Sequence, residues 1–224
     1  MDFPERLTAG YRNFLTNRLP DEQSRFRELA TRGQKPEVMV IGCCDSRVSP
    51  EVIFDAAPGE LFVARNVANL VPPYSPDGAT RAVSASLEFA VQALRVKHIV
   101  VLGHAQCGGI AAHANHIEPL SPGDFIGNWM KIIEPAVQSM PRRAHNESER
   151  EYLTRLEKAS VLLTVKNLMT FPCVNILVGR GKLKLHGAYF GVADGDLLVY
   201  DEQKKDFVPV AKAEHAAAIA APRF

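Results

Sequence analysis

The chain has 224 residues, 26 basic and 25 acidic side chains for a formal net charge of +1, and a hydrophobic content of 46%. This balance argues against nucleic acid or an anionic membrane surface as a partner, so a small-molecule substrate is the default expectation. Length and composition suit a single globular domain over residues 1–224.

Four cysteines are too few for a disulfide scaffold in a chain of this length. Residues 1–20 carry scattered charges and lack the apolar core of a signal peptide. No apolar run approaches the roughly 20 residues that a membrane-spanning helix needs. We therefore expect a cytoplasmic protein, in which clustered Cys and His favour metal binding or catalysis over disulfides.

Residues 3–31 predict two short amphipathic helices, the second beginning at Pro20. Because residues 1–34 precede the first strand, they form an N-terminal helical arm that packs on its own core or crosses to a partner subunit. The apolar positions recur at helical spacing, at Leu7, Tyr11, Phe14 and Leu15 in the first helix and at Phe26 and Leu29, both expected to be buried, in the second.

Strand and helix patterns alternate from residue 38 onward, which indicates an α/β fold with a mainly parallel sheet, an antiparallel edge and flanking helices. Parallel strands are predicted at 38–43, 60–65, 98–103 and 173–178, and a hairpin at 184–192 and 196–200 around Asp194-Gly195. Helices are predicted to begin at Ser49-Pro50, to run from Asp77 or Thr80 to Leu94, and to span 106–115, 124–138 and 149–170. The Ala-rich tail predicts a terminal helix.

Two of the predicted strands end in metal-binding side chains. The strand at 38–43 ends in Cys43, with Cys44, Asp45 and Arg47 directly after it, and the strand at 98–103 runs into His104 and Cys107. Ligands collect beyond the carboxyl ends of parallel strands. If these two strands are neighbours, about 4.8 Å apart, their ligands meet.

Cys43, His104 and Cys107 supply two thiolates and one imidazole, a set that suits zinc. Only three ligands are evident, which leaves a fourth position for water or Asp45, as in catalytic zinc sites. Two thiolates cancel the charge of the metal, so bound water acidifies less than at a tris-imidazole site and activity should rise into the alkaline range. Spacing alone leaves Cys43 and Cys44 as alternatives, and buried inert thiols are the competing interpretation.

Asp45 and Arg47 are close enough in sequence to form an ion pair beside the metal. An arginine-paired Asp45 stays ionised and can accept the proton of a metal-bound water, whereas an exposed pair would contribute little. Gly108 and Gly109 follow Cys107 at a helix start, where free backbone N–H groups favour an anion. Cys44 is either an incidental small residue or an oxidation-sensitive thiol beside the site.

These residues resemble the zinc motifs of the β-class carbonic anhydrases, Cys-x-Asp-x-Arg and His-x-x-Cys. The resemblance extends over most of the chain and selects Cys43 as the ligand. The matching segments are Cys43-Cys44-Asp45-Ser46-Arg47, His104-Ala-Gln-Cys107-Gly108-Gly109, Phe62-Val-Ala-Arg65-Asn66-Val-Ala-Asn69, Gly78-Ala-Thr80 and Leu185-His-Gly-Ala-Tyr189-Phe.

The resemblance implies reversible hydration of CO₂ to bicarbonate with one Zn²⁺ per chain, and a dyad of Asp45 and Arg47 that orients the reacting water. It implies a sheet of order 2-1-3-4 with an antiparallel fifth strand, which places the two ligand-bearing strands side by side. It also implies a homodimer or a dimer of dimers in which the N-terminal arm wraps the partner.

The family has two branches, and the residues of this chain resemble the one that keeps water on zinc. Gln34 stands where that branch has a glutamine, and Phe62, Val67 and Phe89 resemble its apolar CO₂ pocket, partly supplied across the dimer. In the other branch the aspartate can move onto zinc, and a tryptophan and a tyrosine mark a bicarbonate pocket. Val40 and Phe190 stand at those places here, and only Arg65 of that set is retained.

Two other functions compete with this interpretation. A hydrolase of CS₂ or COS on the same fold would use the same residues around zinc. A non-catalytic protein in which zinc only braces the sheet would need neither Asp45 nor Arg47 nor Gln34. The number of subunits and the physiological role do not follow from the sequence.

Overall fold

The computed structural model describes residues 3–117 and 125–210. In these ranges the strands are β1 Val38–Cys43, β2 Leu61–Asn66, β3 His98–His104, β4 Lys184–Phe190, β5 Leu197–Asp201 and β6 Asp206–Pro209. They form one sheet of order β2-β1-β3-β4-β5-β6, in which the first four strands are parallel and the last two antiparallel. The predicted α/β class, the order 2-1-3-4 and the antiparallel fifth strand are confirmed.

Helices flank this sheet. They are α1 Glu5–Asn13, α2 Leu19–Arg32, α3 Pro50–Ile53, α4 Ala82–Glu88, α5 Gly108–Ala114, α6 Phe125–Met130, α7 Glu134–Ser139, α8 Glu149–Leu168 and α9 Pro172–Gly179. Single π-helical turns follow α1 and α4. The predicted helix at 124–138 is divided between α6 and α7. Residue 124 and the Ala-rich tail, for which a terminal helix was predicted, lie outside the described residues. No single described helix is long and apolar enough to cross a membrane.

Two packed clusters position the carboxyl end of the sheet. The larger joins one sheet face, including Met39, Ile41 and Ile99, to α4, α8 and α9. The second lies beyond the ends of β1 and β3 and contains the cysteines themselves, with Cys43 and Cys107 packed among Ile110, Met130 and Leu156. The thiols are therefore held inside a packed apolar environment, in which side chains have few alternative positions.

The segment at 173–178 is a helix rather than the predicted fourth parallel strand. A short apolar run does not distinguish a buried strand from a helix by periodicity. Pro172 occupies the first turn of α9, a position that favours helix initiation, and Val174, Leu177 and Val178 turn toward the larger cluster. The fourth parallel strand is β4, which the sequence predicted only as the first arm of a hairpin.

Two smaller predictions also need correction. The helix expected from Asp77 or Thr80 begins at Ala82, because Gly78 has a positive φ of 78° and Asp77 is engaged in a loop with Ala79 and Arg81. Strand β6 was not predicted. Its signal is weak, since it is four residues long and ends in Pro209, a residue tolerated only at a sheet edge.

The N-terminal arm is helical, but its apolar face is not buried by its own chain. No residue of α1 or α2 is buried, and Phe26, expected in the core, is 36% exposed. The arm contacts the body where Arg25 donates a hydrogen bond to the carbonyl of Pro58 and pairs with Glu60. The prediction that Phe26 and Leu29 are buried is therefore wrong for the single chain, in which Leu29 is only partly buried.

Candidate metal centre

Three metal-binding side chains converge beyond the carboxyl ends of β1 and β3. Cys43 ends β1, His104 ends β3, and Cys107 is the residue immediately before α5. All three are buried, and their ligand atoms lie within 4.8 Å of one another. The parallel pairing of β1 with β3 brings together ligands that are far apart in sequence. Cys44 is exposed and outside this group.

His104 is oriented for metal binding by its own backbone. Its Nδ1 lies 2.9 Å from the carbonyl oxygen of Ala105, so Nδ1 carries the proton and Nε2 has a free lone pair. Nε2 is buried and has no hydrogen-bond partner among the described residues. A buried polar atom without a partner is rare in a folded protein, and a metal ion would satisfy it.

The two thiols behave as a coupled pair. The contact with Cys107 lowers the pKa of Cys43 to about 4, with smaller contributions from the nearby His104 ring, whose Nε2 makes no hydrogen bond to the thiol, and from the N–H groups of Asp45 and Ala68. The same contact with Cys43, together with burial, raises the pKa of Cys107. A divalent metal would bind both sulfurs as thiolates.

These residues fit zinc. Two sulfurs and one imidazole nitrogen within 4.8 Å of one another are the donor types, gathered at one point, that a zinc site with three protein ligands uses. Within the described residues, this is the group of three or more Cys, His, Asp or Glu side chains close enough to hold an ion. The carboxylate of Asp45 is not part of the group.

Asp45 and Arg47 form a bidentate ion pair at the rim of the centre. Nε of Arg47 lies 2.9 Å from Oδ1 of Asp45 and Nη2 lies 2.7 Å from Oδ2, while the Arg47 N–H also donates to Oδ1. These contacts, led by the Arg47 side chain, hold the pKa of Asp45 well below its usual range. Paired planar groups of this kind are both strong and directional, so Asp45 is an ionised acceptor in a fixed orientation.

The loop that carries Asp45 is attached to the neighbouring strand by Arg65. Its Nε donates to the carbonyl of Cys43 at 2.8 Å and its Nη2 to the carbonyl of Asp45 at 2.7 Å. Arg47 in turn donates to the carbonyl of Gln106 at 3.0 Å. The guanidinium of Arg65 is thus engaged with main chain, and the residues after β1 are connected to those after β3.

The predicted substrate-pocket residues fall into separate places. Val67 lines a cavity of about 970 Å³ together with Cys44, Arg65 and Trp129, and Trp129 donates to the Val67 carbonyl at 2.8 Å. Gly109 approaches Val67 so closely that a Cβ there would lie 2.8 Å from its Cγ1, whereas the space beside Gly108 is open. Small size is therefore required at Gly109, whereas Gly108 is exposed.

The remaining predicted pocket residues lie elsewhere on the single chain. Phe62 and Phe89 contact each other with ring centroids 5.9 Å apart, and Phe89 is 50% exposed. Gln34 is exposed in the loop before β1. It therefore lies beyond the amino end of a strand whose carboxyl end carries Cys43, and a six-residue strand spans about 20 Å.

Sequence reasoning missed Glu157, which lies on α8 and contacts the backbone of the ligand Cys107. Its Oε1 accepts the N–H of Cys107 at 3.2 Å, and its side chain is 1% exposed. The available signal was its place on α8, where a charged residue lies on the stripe that also carries Leu153, Leu156 and Val161. A charge on a buried helical stripe indicates a specific polar partner.

A buried Cys-His-Cys group next to the Asp45–Arg47 ion pair has the donor set of a zinc site. Comparison with known proteins agrees. The carbonic anhydrase family model matches residues 38–197. A carbonic anhydrase of Pseudomonas aeruginosa is 36% identical over 206 residues, which cover 92% of this chain and 91% of that protein.

Solved structures give the same result. The β-carbonic anhydrase CcaA is 30% identical, with a TM-score of 0.84 over 92% of this chain and 98% of that one. One of two tetrameric β-carbonic anhydrases of the ascomycete Sordaria macrospora is 29% identical, with a TM-score of 0.65 over 87% of this chain and 92% of that one. The chain therefore belongs to the carbonic anhydrase family of enzymes, and within it to the β class.

Proposed function

We propose that the protein catalyses the reversible hydration of CO₂ to bicarbonate and a proton, with one Zn²⁺ per chain held by Cys43, His104 and Cys107. The observation that carries this proposal is the unpartnered Nε2 of His104 among two buried thiols, next to the Asp45–Arg47 pair. When bound, the metal lowers the pKa of a coordinated water and so supplies a nucleophile.

Asp45 is assigned the role of proton acceptor and orienter. Its ionised carboxylate takes a hydrogen bond from the reacting water, so that the remaining lone pair faces the substrate. Arg47 occupies both carboxylate oxygens, which favours a centre that stays open to water over one in which Asp45 itself becomes a ligand. The proton released by the reaction then passes to buffer.

The substrate pocket is proposed to combine residues of one chain with residues of a second. Val67, Gly108 and Gly109 line the side of the ligand group on the same chain, and the main-chain N–H groups after Cys107 favour the anionic product. Phe62, Phe89 and Gln34 lie apart from the ligands on the single chain, so their contribution to the pocket would come across an intersubunit contact.

We propose a homodimer or a dimer of dimers, acting in the cytoplasm. The exposed apolar side chains of the arm, including Leu7 at 55% and Tyr11 at 61%, form a surface that a partner subunit would cover. Relatives of known structure include tetrameric enzymes, which supports assembly beyond the monomer.

The decisive experiment is stopped-flow CO₂ hydration from about pH 6.5 to 9, with bound zinc quantified in the same sample. One zinc per chain and activity that rises smoothly through this range are expected. Activity that stops cooperatively below about pH 8 would mean that Asp45 reaches the metal, and would contradict the open site. Stoichiometric zinc without CO₂ turnover would contradict the main proposal and direct attention to CS₂ and COS.

A further inference from the structure

Glu157 is a buried carboxylate for which the proposed reaction has no use. It lies in the middle of α8, directly behind Cys107, and its side chain is 1% exposed. Removing a charge from water is costly unless the group is paired and fully hydrogen-bonded. Its partners therefore indicate its role.

The carboxylate is saturated by donors from three parts of the fold. Oε2 accepts the Tyr189 hydroxyl at 2.6 Å and Nη2 of Arg150 at 2.7 Å. Oε1 accepts the Cys107 N–H at 3.2 Å and Nη1 of Arg150 at 3.3 Å. Burial and the contact with Glu157 raise the pKa of Tyr189, so its hydroxyl keeps its proton and donates. Arg150 and Tyr189 thus fix the carboxylate, and the carboxylate contacts a metal ligand.

The contact with Cys107 involves the same peptide group that Arg47 binds. The carbonyl of Gln106 accepts Nη2 of Arg47 at 3.0 Å, and the N–H of that peptide, on Cys107, donates to Glu157. Gln106 adopts a left-handed φ of 59°, a conformation that a residue other than glycine keeps only when its surroundings enforce it. One peptide is therefore clamped at both ends, by a buried carboxylate on one side and by the Asp45–Arg47 pair on the other.

We infer that Glu157 is a positioning residue for the metal centre, because it fixes the Gln106–Cys107 peptide and through it both the Cys107 thiolate and Arg47. This inference rests on the zinc centre of the proposed function. Hydrogen-bond partners of metal ligands commonly change metal affinity or activity by about 10–100-fold when they are mutated. Glu157 acts in this way through main chain rather than through the ligand's own side chain.

Glu157→Gln is the sharpest test, because the amide keeps the shape of the side chain. The amide NH₂ group of glutamine only donates, whereas both oxygens of the Glu157 carboxylate accept. If the amide oxygen accepts the Cys107 N–H, the NH₂ group therefore faces Arg150 and Tyr189 and cannot accept their hydrogen bonds. We expect release of zinc to a competing chelator to become about 10–100-fold more favourable. We also expect altered absorption bands of the Co²⁺-loaded protein and a lower kcat with little change in KM.

Leu168→Ala is the matched control, since Leu168 is fully buried at the far end of the same helix and its truncation destabilises the fold by opening a cavity. It should lower the unfolding midpoint and leave the Co²⁺ spectrum and zinc affinity unchanged. A Glu157→Gln variant that lowers the unfolding midpoint like this control, with wild-type spectrum and zinc affinity, would overturn the inference.

Two further outcomes are decisive. If Glu157→Gln does not fold, Tyr189→Phe removes one donor to Oε2 and should shift zinc affinity in the same direction by about two- to tenfold; an unchanged affinity there would overturn the inference. Wild-type protein is measured first. A wild-type chain without zinc would overturn the proposed function, whereas zinc-loaded wild type with an unaffected Glu157 variant would overturn this inference alone.

Discussion

Histidines lie at both ends of the parallel sheet, with hydrogen-bond partners at the amino end and, within the described part of the chain, with an unpartnered ring nitrogen at the carboxyl end. At the amino end, polar groups satisfy one another: His98 and His186 lie 3.0 Å apart through Nδ1 and Nε2, and Lys97 pairs with Glu37. At the carboxyl end, six residues further along β3, His104 presents a buried Nε2 that has no partner among the described residues.

This difference indicates which end of the sheet can bind a ligand. Groups that are already paired stabilise the structure and have little left to offer a ligand, whereas buried groups that are held in place without a partner are prepared to bind one. Ligands of open parallel sheets collect at the carboxyl ends of strands, and here the two ends of β3 follow that rule with the same residue type.

The largest effect should come from removing a ligand at the carboxyl end. In Cys107→Ser we expect zinc affinity to fall by more than about 100-fold, beyond the effect of changing a partner of a ligand, and CO₂ hydration to be lost with it. Cys173→Ser, at a half-buried cysteine of α9, is the matched control and should keep one zinc per chain. Metal analysis after dialysis checks both. Full zinc content in Cys107→Ser would contradict the ligand assignment.

The next effect concerns Asp45, which separates catalysis from metal binding. In Asp45→Ala or Asp45→Asn the acceptor of the water proton is lost, and we expect kcat to fall by about 10²–10⁴ while zinc content and folding persist. Asp201→Asn, at the end of β5, should leave kcat unchanged. Loss of zinc and fold together with activity would instead favour a structural metal.

The carboxyl end was largely predictable from sequence because its ligands follow local apolar runs. The runs 38–43 and 98–103 predict buried strands, and the fold then had only to place them side by side. The place of Glu157 on the buried face of α8 signals a buried charge with a polar partner. Its partner was not predictable, since a hydrogen bond to the backbone N–H of Cys107 leaves no residue pattern. The helix at 173–178 was mistaken for a strand because a short apolar run satisfies both patterns until neighbouring elements occupy the sheet.

A smaller effect is expected from the arm, which lies beyond the amino end of the sheet. Leu7→Ser with Tyr11→Ser removes two exposed apolar side chains, each contributing up to about 1.5–3 kcal/mol if a partner buries it. We expect the dissociation constant of the oligomer to rise by at least about tenfold in sedimentation experiments, with zinc content unchanged. Arg12→Ala, an exposed position of the same helix, is the control. An unchanged mass on dilution would contradict the arm's role.

The smallest effect concerns the His98–His186 pair and the pH dependence of the free energy of unfolding. Burial, the charge of His98 and the charge of Lys184 lower the pKa of His186. A histidine whose pKa is lowered by folding binds a proton more readily in the unfolded chain. Its contribution to the free energy of unfolding is therefore complete above the unfolded pKa of about 6.5 and is lost as the pH falls below that value. The slope is at most about 1.4 kcal/mol per pH unit for one proton.

His186→Gln should therefore have a free energy of unfolding that depends less on pH between about 6.5 and 5 than that of the wild type. Both proteins keep the thiols and His104, so acid loss of the metal centre cancels in the difference between them. His145→Gln, at an exposed position, should follow the wild-type curve. If the free energy of unfolding, measured with urea, depends on pH equally in wild type and His186→Gln, folding does not change the pKa of His186. The contrast between the two ends of β3 would then rest on the metal ligands alone.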